Sequence, residues 1–228
     1  MVKRSKRYKK ALESASATPK SLKEAVDALQ SMPKAGFDET VEISINLAVD
    51  PKQSNQMVRG TVRLPNGSGK KVRVVVFTEQ PEAALAAGAD KAGIADLAKE
   101  IEGGWMDFDV AIATTSAMKE VRKLARILGP RGLMPNPKSG TVTDDVESAI
   151  KEVKGGRVEY KMDKTANLVV VVGKRSFAND KLYENAKAAL SSVAAAKPEV
   201  IKGKFINSVS ISSTMSPSIK VALSEVAE

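Results

Sequence analysis

Apolar positions along the chain change period several times, and those changes divide it. Leu22, Ala25, Val26, Leu29 and Met32 recur at helical steps, so one face of a helix over 22–32 is apolar. Ser21-Leu22-Lys23-Glu24 reads as its capping box, and Pro33-Lys34-Ala35-Gly36 ends it. From Val41 the period becomes two, with Val41, Ile43, Ile45, Leu47 and Val49 on one side and Glu42, Ser44, Asn46 and Ala48 on the other. That is a strand with one wet face. A shorter strand over 59–64 runs into the turn-rich linker Pro65-Asn66-Gly67-Ser68-Gly69-Lys70.

Beyond the linker, Val72-Arg73-Val74-Val75-Val76-Phe77 is nearly continuous in apolar residues, as expected of a strand buried on both faces of a parallel sheet. Helical stretches over 82–88 and 94–102, a buried strand over 110–113, and helices over 116–128 and 144–154 follow. Asp144 and Glu147 have capping-box spacing, and Gly155-Gly156 forms a stop. The half-wet pattern then returns over 157–162 and 167–172, where a turn at Asp163-Lys164-Thr165 is expected to close a hairpin. A helix over 179–196 ends before Pro198, a serine-studded strand covers 205–213, and a short strand at 219–221 follows the turn 214–218.

These patterns predict a mixed α/β and α+β protein of two domains. Residues 1–67 and 159–228 together form a discontinuous α+β domain, an antiparallel sheet with helices on one face. Residues 68–158 form an inserted, Rossmann-like three-layer α/β domain. The insert leaves and re-enters through adjacent strands, so two chain crossings near 64–70 and 155–161 are expected to act as a hinge.

The least generic stretch is Gly129-Pro130-Arg131-Gly132-Leu133-Met134-Pro135-Asn136-Pro137-Lys138-Ser139-Gly140. Three prolines and three glycines hold it out of helix and ladder, while Leu133 and Met134 offer something apolar to a neighbour. It is a stiff, shaped loop. Physical reasoning favours a connection packed over a sheet edge above a surface that meets RNA or another domain.

Composition narrows the chemistry. A chain that is 43% hydrophobic and 28% charged is globular, and no stretch approaches the ~20 apolar residues of a membrane span. No apolar core follows the basic start, so no secretory signal is read and a cytoplasmic protein is expected. The absence of Cys and His removes disulfides, thiolate sites and the commonest general base and metal ligand, so neither metal nor cofactor is expected. The net charge of +9 is uneven: twelve basic against seven acidic residues over 1–67, fourteen against thirteen over 68–158, and ten against seven over 159–228. A basic unit built from both ends, with a near-neutral insert, is the simplest arrangement. Residues 1–10 carry six basic side chains and no acid, and read as an arm that orders on a phosphate surface or stays solvated.

Several motifs are decoys. Gly67-Ser68-Gly69-Lys70 suggests a phosphate loop, but Leu64 replaces the first glycine, Lys71 replaces the hydroxyl residue, and a strand rather than a helix follows. Ser116-Ala117-Met118-Lys119 has the spacing of a serine nucleophile with a lysine base but lacks the companion elements, so core helix is favoured. Asn66-Gly67-Ser68 fits a glycosylation acceptor without a secretory route. The residues that remain suit a binder of folded RNA. Aromatics are only 4%, too few for a stacking platform, whereas Ser208, Ser210, Ser212, Ser213 and Thr214 form hydroxyl rows suited to ribose and phosphate. Those serines could equally line the wet face of an edge strand, and Phe37 is more readily a core anchor than a wedge against RNA. The alternative is an enzyme or ligand-binding protein whose α/β insert takes a phosphorylated metabolite through Asp107, Asp109, Lys119 or Arg131. A nonspecific basic RNA chaperone is a third reading.

The loop 129–140, with Phe37-Asp38-Glu39-Thr40-Val41 before it and Thr214-Met215 after it, resembles the universal ribosomal protein family L-one, of the mobile stalk of the large subunit. The resemblance runs from about Lys6 to Val221. It implies a non-enzymatic ribosomal protein, a monomer within the ribosome, that binds stalk rRNA, helps release deacylated tRNA from the exit site and represses translation of its own operon mRNA. It assigns RNA binding to the domain built from both termini, at Lys34, Phe37, Glu39, Thr40, Ser208, Ser210, Thr214, Met215 and Ser216, with Lys164 and Thr165 near the same site. Two positions depart from the family: Ser216 stands where Gly is usual, and Gly36 where a basic residue is common. A Cβ at Ser216 would hinder close backbone approach, and Lys34 would compensate for Gly36.

Overall fold

The computed structural model describes residues 4–15 and 18–225. In chain order, helices α1 (Lys6–Ser14) and α2 (Leu22–Ser31) precede strands β1 (Thr40–Leu47) and β2 (Arg59–Arg63). Strand β3 (Val74–Phe77), helix α3 (Pro81–Ala86), strand β4 (Lys91–Ala92), helix α4 (Ala95–Glu102) and strand β5 (Val110–Ala113) come next. Helices α5 (Met118–Val121), α6 (Ala125–Leu128) and α7 (Val146–Lys154) follow, then β6 (Arg157–Lys161), β7 (Asn167–Lys174), α8 (Asn179–Ala195), β8 (Ile206–Ser213) and β9 (Ile219–Val221). Contacts divide the chain into two compact units, Met1–Gly69 with Val158–Glu228, and Lys70–Arg157.

In the first unit, the antiparallel sheet has the order β7-β1-β8-β9. Alternation in β1 buries Val41, Ile43, Ile45 and Leu47 and leaves Glu42, Ser44 and Asn46 partly exposed. The buried row joins Leu168, Val170, Val172, Val209 and Ile211 in one core with Leu22, Val26 and Leu29 of α2 and Leu182, Ala186 and Leu190 of α8. Helix α2 starts at the complete capping box of Ser21 and Glu24. Pairing between β1 and β7 slips by one residue at Gly173, whose φ of +155° suits only glycine and whose missing side chain leaves room for Phe177 and Leu182. The slip reverses which side later residues face, so Lys174 lies opposite Thr40 and Arg175 turns inward.

Two expectations change here. Residues 4–10 are not a solvated arm, while residues 1–3 lie outside the described residues. Lys6–Ser14 is helical because the Ser5 hydroxyl accepts the Tyr8 amide and Ala11 is buried in the core. Nor do 157–162 and 167–172 form a hairpin in one sheet. Strand β6 pairs with β2, β7 pairs with β1, and one bridge between Met162 and Leu168 links them. The expected turn itself is present: the Asp163 carboxylate accepts the amides of Thr165 and Asn167 and the Thr165 hydroxyl, and the Asp163 amide donates to the Asn167 carbonyl at 2.8 Å.

In the second unit, the parallel sheet β4-β3-β5 is covered on both faces. Val75, Phe77, Ala111 and Ala113 pack with Leu97, Ile101, Val121, Leu124 and Leu128, while Val74, Val76 and Ile112 pack with Ala84, Ile150 and Val153. The expected helix over 116–128 is divided by a 3-10 turn at Arg122–Leu124. Tightening to three residues per turn stacks Val121 above Leu124, and both reach the core. Helix α7 is capped by Asp145, not Asp144: Asp145 accepts the Ser148 amide, whereas Asp144 is taken by the Thr115 amide. Strand β4, only two residues long, carried no periodic signal. In the loop 129–140, Leu133 and Met134 lie against the cluster around Leu128, and Val142 beyond it bridges to Ala113 at the edge of β5.

Candidate nucleic-acid interface

The end of the sheet where β1 begins gathers three segments: the loop from Pro33 to Glu39, the turn after β8, and α1. The Thr214 amide donates to the Thr40 carbonyl at 3.0 Å, and the Thr40 amide donates to the Thr214 hydroxyl at 3.1 Å. This exchange places Phe37 and Met215 at the same end, 54% and 49% exposed. Other apolar side chains, such as Met57 and Leu85, are as exposed, but these two are brought to one end of the sheet by hydrogen bonds between their segments. Lys34 is exposed in the same loop as Phe37, and Lys174 donates to the Thr40 hydroxyl at 2.8 Å.

Beneath the pair lies Glu39, which has no exposed surface. One carboxylate oxygen accepts the Ala35 amide at 2.6 Å and the guanidinium of Arg175 at 3.3 Å, with Arg7 at 3.5 Å. The other accepts the Ser213 hydroxyl and, at 3.3 Å, the Met215 amide. Burial by itself would raise the pKa of this carboxyl, but the Ser213 hydroxyl, the two amides and Arg175 outweigh it and hold the group below the usual glutamate range. Arg175, also buried, spends its other terminal nitrogen on the carbonyls of Leu29 and Met32 at 2.8 and 2.5 Å. Glu39 therefore has no surface to offer a ligand, and its place among direct RNA contacts is corrected to that of a buried tie.

The other expected residues separate into two groups. Ser208 and Ser210 lie on the open face, where Ser210 stands opposite Ser44 and Lys220, and Ser208 opposite Asn46. They extend the Phe37 and Met215 end along the sheet. Lys164 and Thr165 do not belong with them. Their turn adjoins the other end of β1, since the Leu47 amide donates to the Ala166 carbonyl, and the strand separates the two ends by about 23 Å. Lys164 instead borders a cleft of about 440 Å³ with Pro51, Met57 and Lys161.

Ser216 closes its own turn. Its amide donates to the Ser213 carbonyl at 3.0 Å, and its hydroxyl accepts the Ser213 amide at 2.9 Å. The side chain is thus folded back into the protein. At Gly36 a Cβ would meet nothing within 4 Å, so packing does not require glycine there. Sequence reasoning missed Arg7 and Arg175. The signal for Arg175 was Gly173, an isolated glycine in a strand pattern, which marks a bulge and so a change of face. No sequence signal pointed to Arg7.

Asp107, Asp109, Lys119 and Arg131 make no common site. Asp109 is engaged by Lys70 at 2.6 Å and by the Arg73 amide at 3.0 Å. Burial pushes its pKa up, but those partners bring it below the ordinary aspartate value. A crevice of about 420 Å³ at the carboxyl ends of β3 and β5 is lined by Thr78, Gln80, Thr114, Glu79, Asp144 and Glu147, among others, and by none of the four. Its carboxylates would repel a phosphate. Among the described residues, no group of three or more acidic side chains is placed to hold a metal ion.

Residues 28–217 match the model of the ribosomal protein L1p/L10e family. The chain is 50% identical over 231 residues to the large ribosomal subunit protein uL1 of Kosmotoga olearia, covering all of both chains. It is 49% identical to the uL1 protein of Corynebacterium kroppenstedtii, covering 97% of this chain and 94% of that one. The uL1 protein of Saccharopolyspora erythraea is 50% identical with the same coverage.

Proposed function

Because the chain belongs to the ribosomal protein L1p/L10e family, we propose that it is a structural component of the large ribosomal subunit, not an enzyme, and that its two-ended unit binds the rRNA of the mobile stalk. It works in the cytoplasm as part of the ribosome. The observation that carries the RNA reading is the exposed pair Phe37 and Met215, held at one end of the sheet with Lys34 in the Phe37 loop and the hydroxyls of Thr40 and Thr214. Hydroxyls and cations around two apolar contacts suit a folded ribonucleotide surface, whose ribose 2′-OH donates and accepts and whose phosphates attract the lysines. Ser208 and Ser210 continue this surface, and Ser216 supports it from within its turn. Lys164 and Thr165, at the opposite end, would reach a different part of the RNA.

The insert, joined through two chain crossings near 64–70 and 155–161, acts as a hinged body. The stalk protein thereby assists departure of deacylated tRNA from the exit site, and the same RNA surface, given a look-alike in its own operon mRNA, represses translation. A titration of the full chain with a transcript of the stalk region, repeated over a salt series, tests the central claim. Log-affinity is expected to fall linearly with log-salt, with Met215→Ala weaker by ~1–3 kcal/mol at matched salt. Equal affinity for the stalk transcript and an unrelated folded RNA would overturn it in favour of nonspecific binding.

A further inference from the structure

Arg7 lies on α1, far in sequence from both halves of the candidate interface, yet it touches each. One terminal nitrogen faces the Pro33 carbonyl at 3.5 Å and the Glu39 carboxylate at 3.5 Å, and the other donates to the Met215 carbonyl at 3.3 Å. Glu39 does not need a second cation, because the fully buried Arg175 already pairs with it. What Arg7 alone supplies is a bridge between two backbone carbonyls, one in the loop that presents Phe37 and one at the residue that presents Met215. A planar guanidinium can span such acceptors with separate nitrogens, whereas an ammonium is a single point. Ala11, one helical turn farther along and 2% exposed, anchors α1 in the core and fixes where Arg7 reaches.

We infer that Arg7 is a positioning residue for RNA recognition, binding the Phe37 loop and the Met215 turn into one rigid surface while making no contact with the RNA itself. The inference rests on the RNA-binding reading above. With Arg7 in place, the Met215 turn is fixed from two sides, its amide by Glu39 and its carbonyl by Arg7. The ordering of both apolar contacts is then complete before RNA arrives, and preorganisation of this kind raises affinity without adding contacts. The N-terminal helix thus belongs to the recognition apparatus as a brace.

The test compares the full chain with Arg7→Lys, which keeps the charge and loses the fork, and Arg7→Ala. Each is titrated with the stalk transcript over a salt series, and amide hydrogen exchange is followed at Met215 and Ile43 in the RNA-free proteins. Both variants are expected to bind about tenfold more weakly, the size expected for lost hydrogen bonds to a charged donor. The slope of log-affinity against log-salt should stay unchanged, Met215 should exchange faster, and Ile43, in the central strand, should not. Wild-type affinity in Arg7→Lys, or a slope reduced by about one in Arg7→Ala, would identify a phosphate contact and overturn the inference. Equal loosening at Ile43 would reduce Arg7 to general stability and overturn it too. If the unaltered chain shows no preference for the stalk transcript, the RNA reading fails, while exchange at Met215 still decides what Arg7 does.

Discussion

Glu39 shows what a single side chain contributes when it is withdrawn from water and fully satisfied. Replacing it with Gln keeps the shape but leaves Arg175 buried without its counter-charge, so Glu39→Gln should lower the unfolding free energy by about 3 kcal/mol at neutral pH, read by urea denaturation. The pH dependence has a definite sign. A carboxyl with a depressed folded-state pKa contributes stability that is present above its unfolded value and is lost as pH falls through the folded one. Wild-type stability should therefore decline in acid below about pH 4, and the gap to Glu39→Gln should narrow there. Ala166 balances opposing effects. It sits at φ 59°, in the left-handed region that costs a Cβ-bearing residue about 1 kcal/mol, yet its methyl is buried in the core. Ala166→Gly is expected to leave the thermal midpoint nearly unchanged, since the relief of strain is offset by the lost methyl burial and the entropy glycine adds to the unfolded chain.

At the level of elements, local chemistry was legible wherever one residue's neighbours in sequence decided its partner. Ser21 and Glu24 form their box as spaced, and Ser21→Ala should cost about 1 kcal/mol in chemical denaturation. The strict alternation of β1 fixed its wet and dry faces, and the unbroken run Val74–Phe77 announced a sheet covered on both sides. Legibility failed where a distant partner intervened. Thr115 captures Asp144 and passes the cap of α7 to Asp145, so Asp145→Ala should loosen α7 more than Glu147→Ala in hydrogen exchange of that helix. The bulge at Gly173 reverses the faces of β7, which is why an arginine that looks exposed by alternation is buried against Glu39. Gly173→Ala would set a Cβ 3.0 Å from the Phe177 ring and 3.1 Å from Leu182 at a forbidden φ. It should destabilise by at least ~1 kcal/mol and weaken RNA binding by displacing Lys174 and Arg175. Of the candidate surface, Phe37, Thr40, Thr214 and Met215 were named from the family's pattern and lie at one end of the sheet, whereas the ties that hold them were not legible, because Arg7, Glu39, Arg175 and Ser213 meet only through tertiary contacts.

For the molecule as a whole, the first unit has its own core, and its excess positive charge is carried by the two ends of the chain. A protein in which residues 70–157 are replaced by a short flexible linker should fold and retain stalk-RNA binding, because the interrupted strands β2 and β6 are already hydrogen-bonded neighbours. A folded fusion without affinity would assign part of the RNA surface to the insert. The same topology governs when the protein becomes competent during synthesis. Strand β1 leaves the exit tunnel early, but Ile43 must wait for Val170 on one side and Ile211 on the other, while the insert between them completes its own core first. Met215 emerges later still. A nascent or prematurely terminated chain thus lacks the surface that Phe37 and Met215 form together, and only a finished polypeptide presents it.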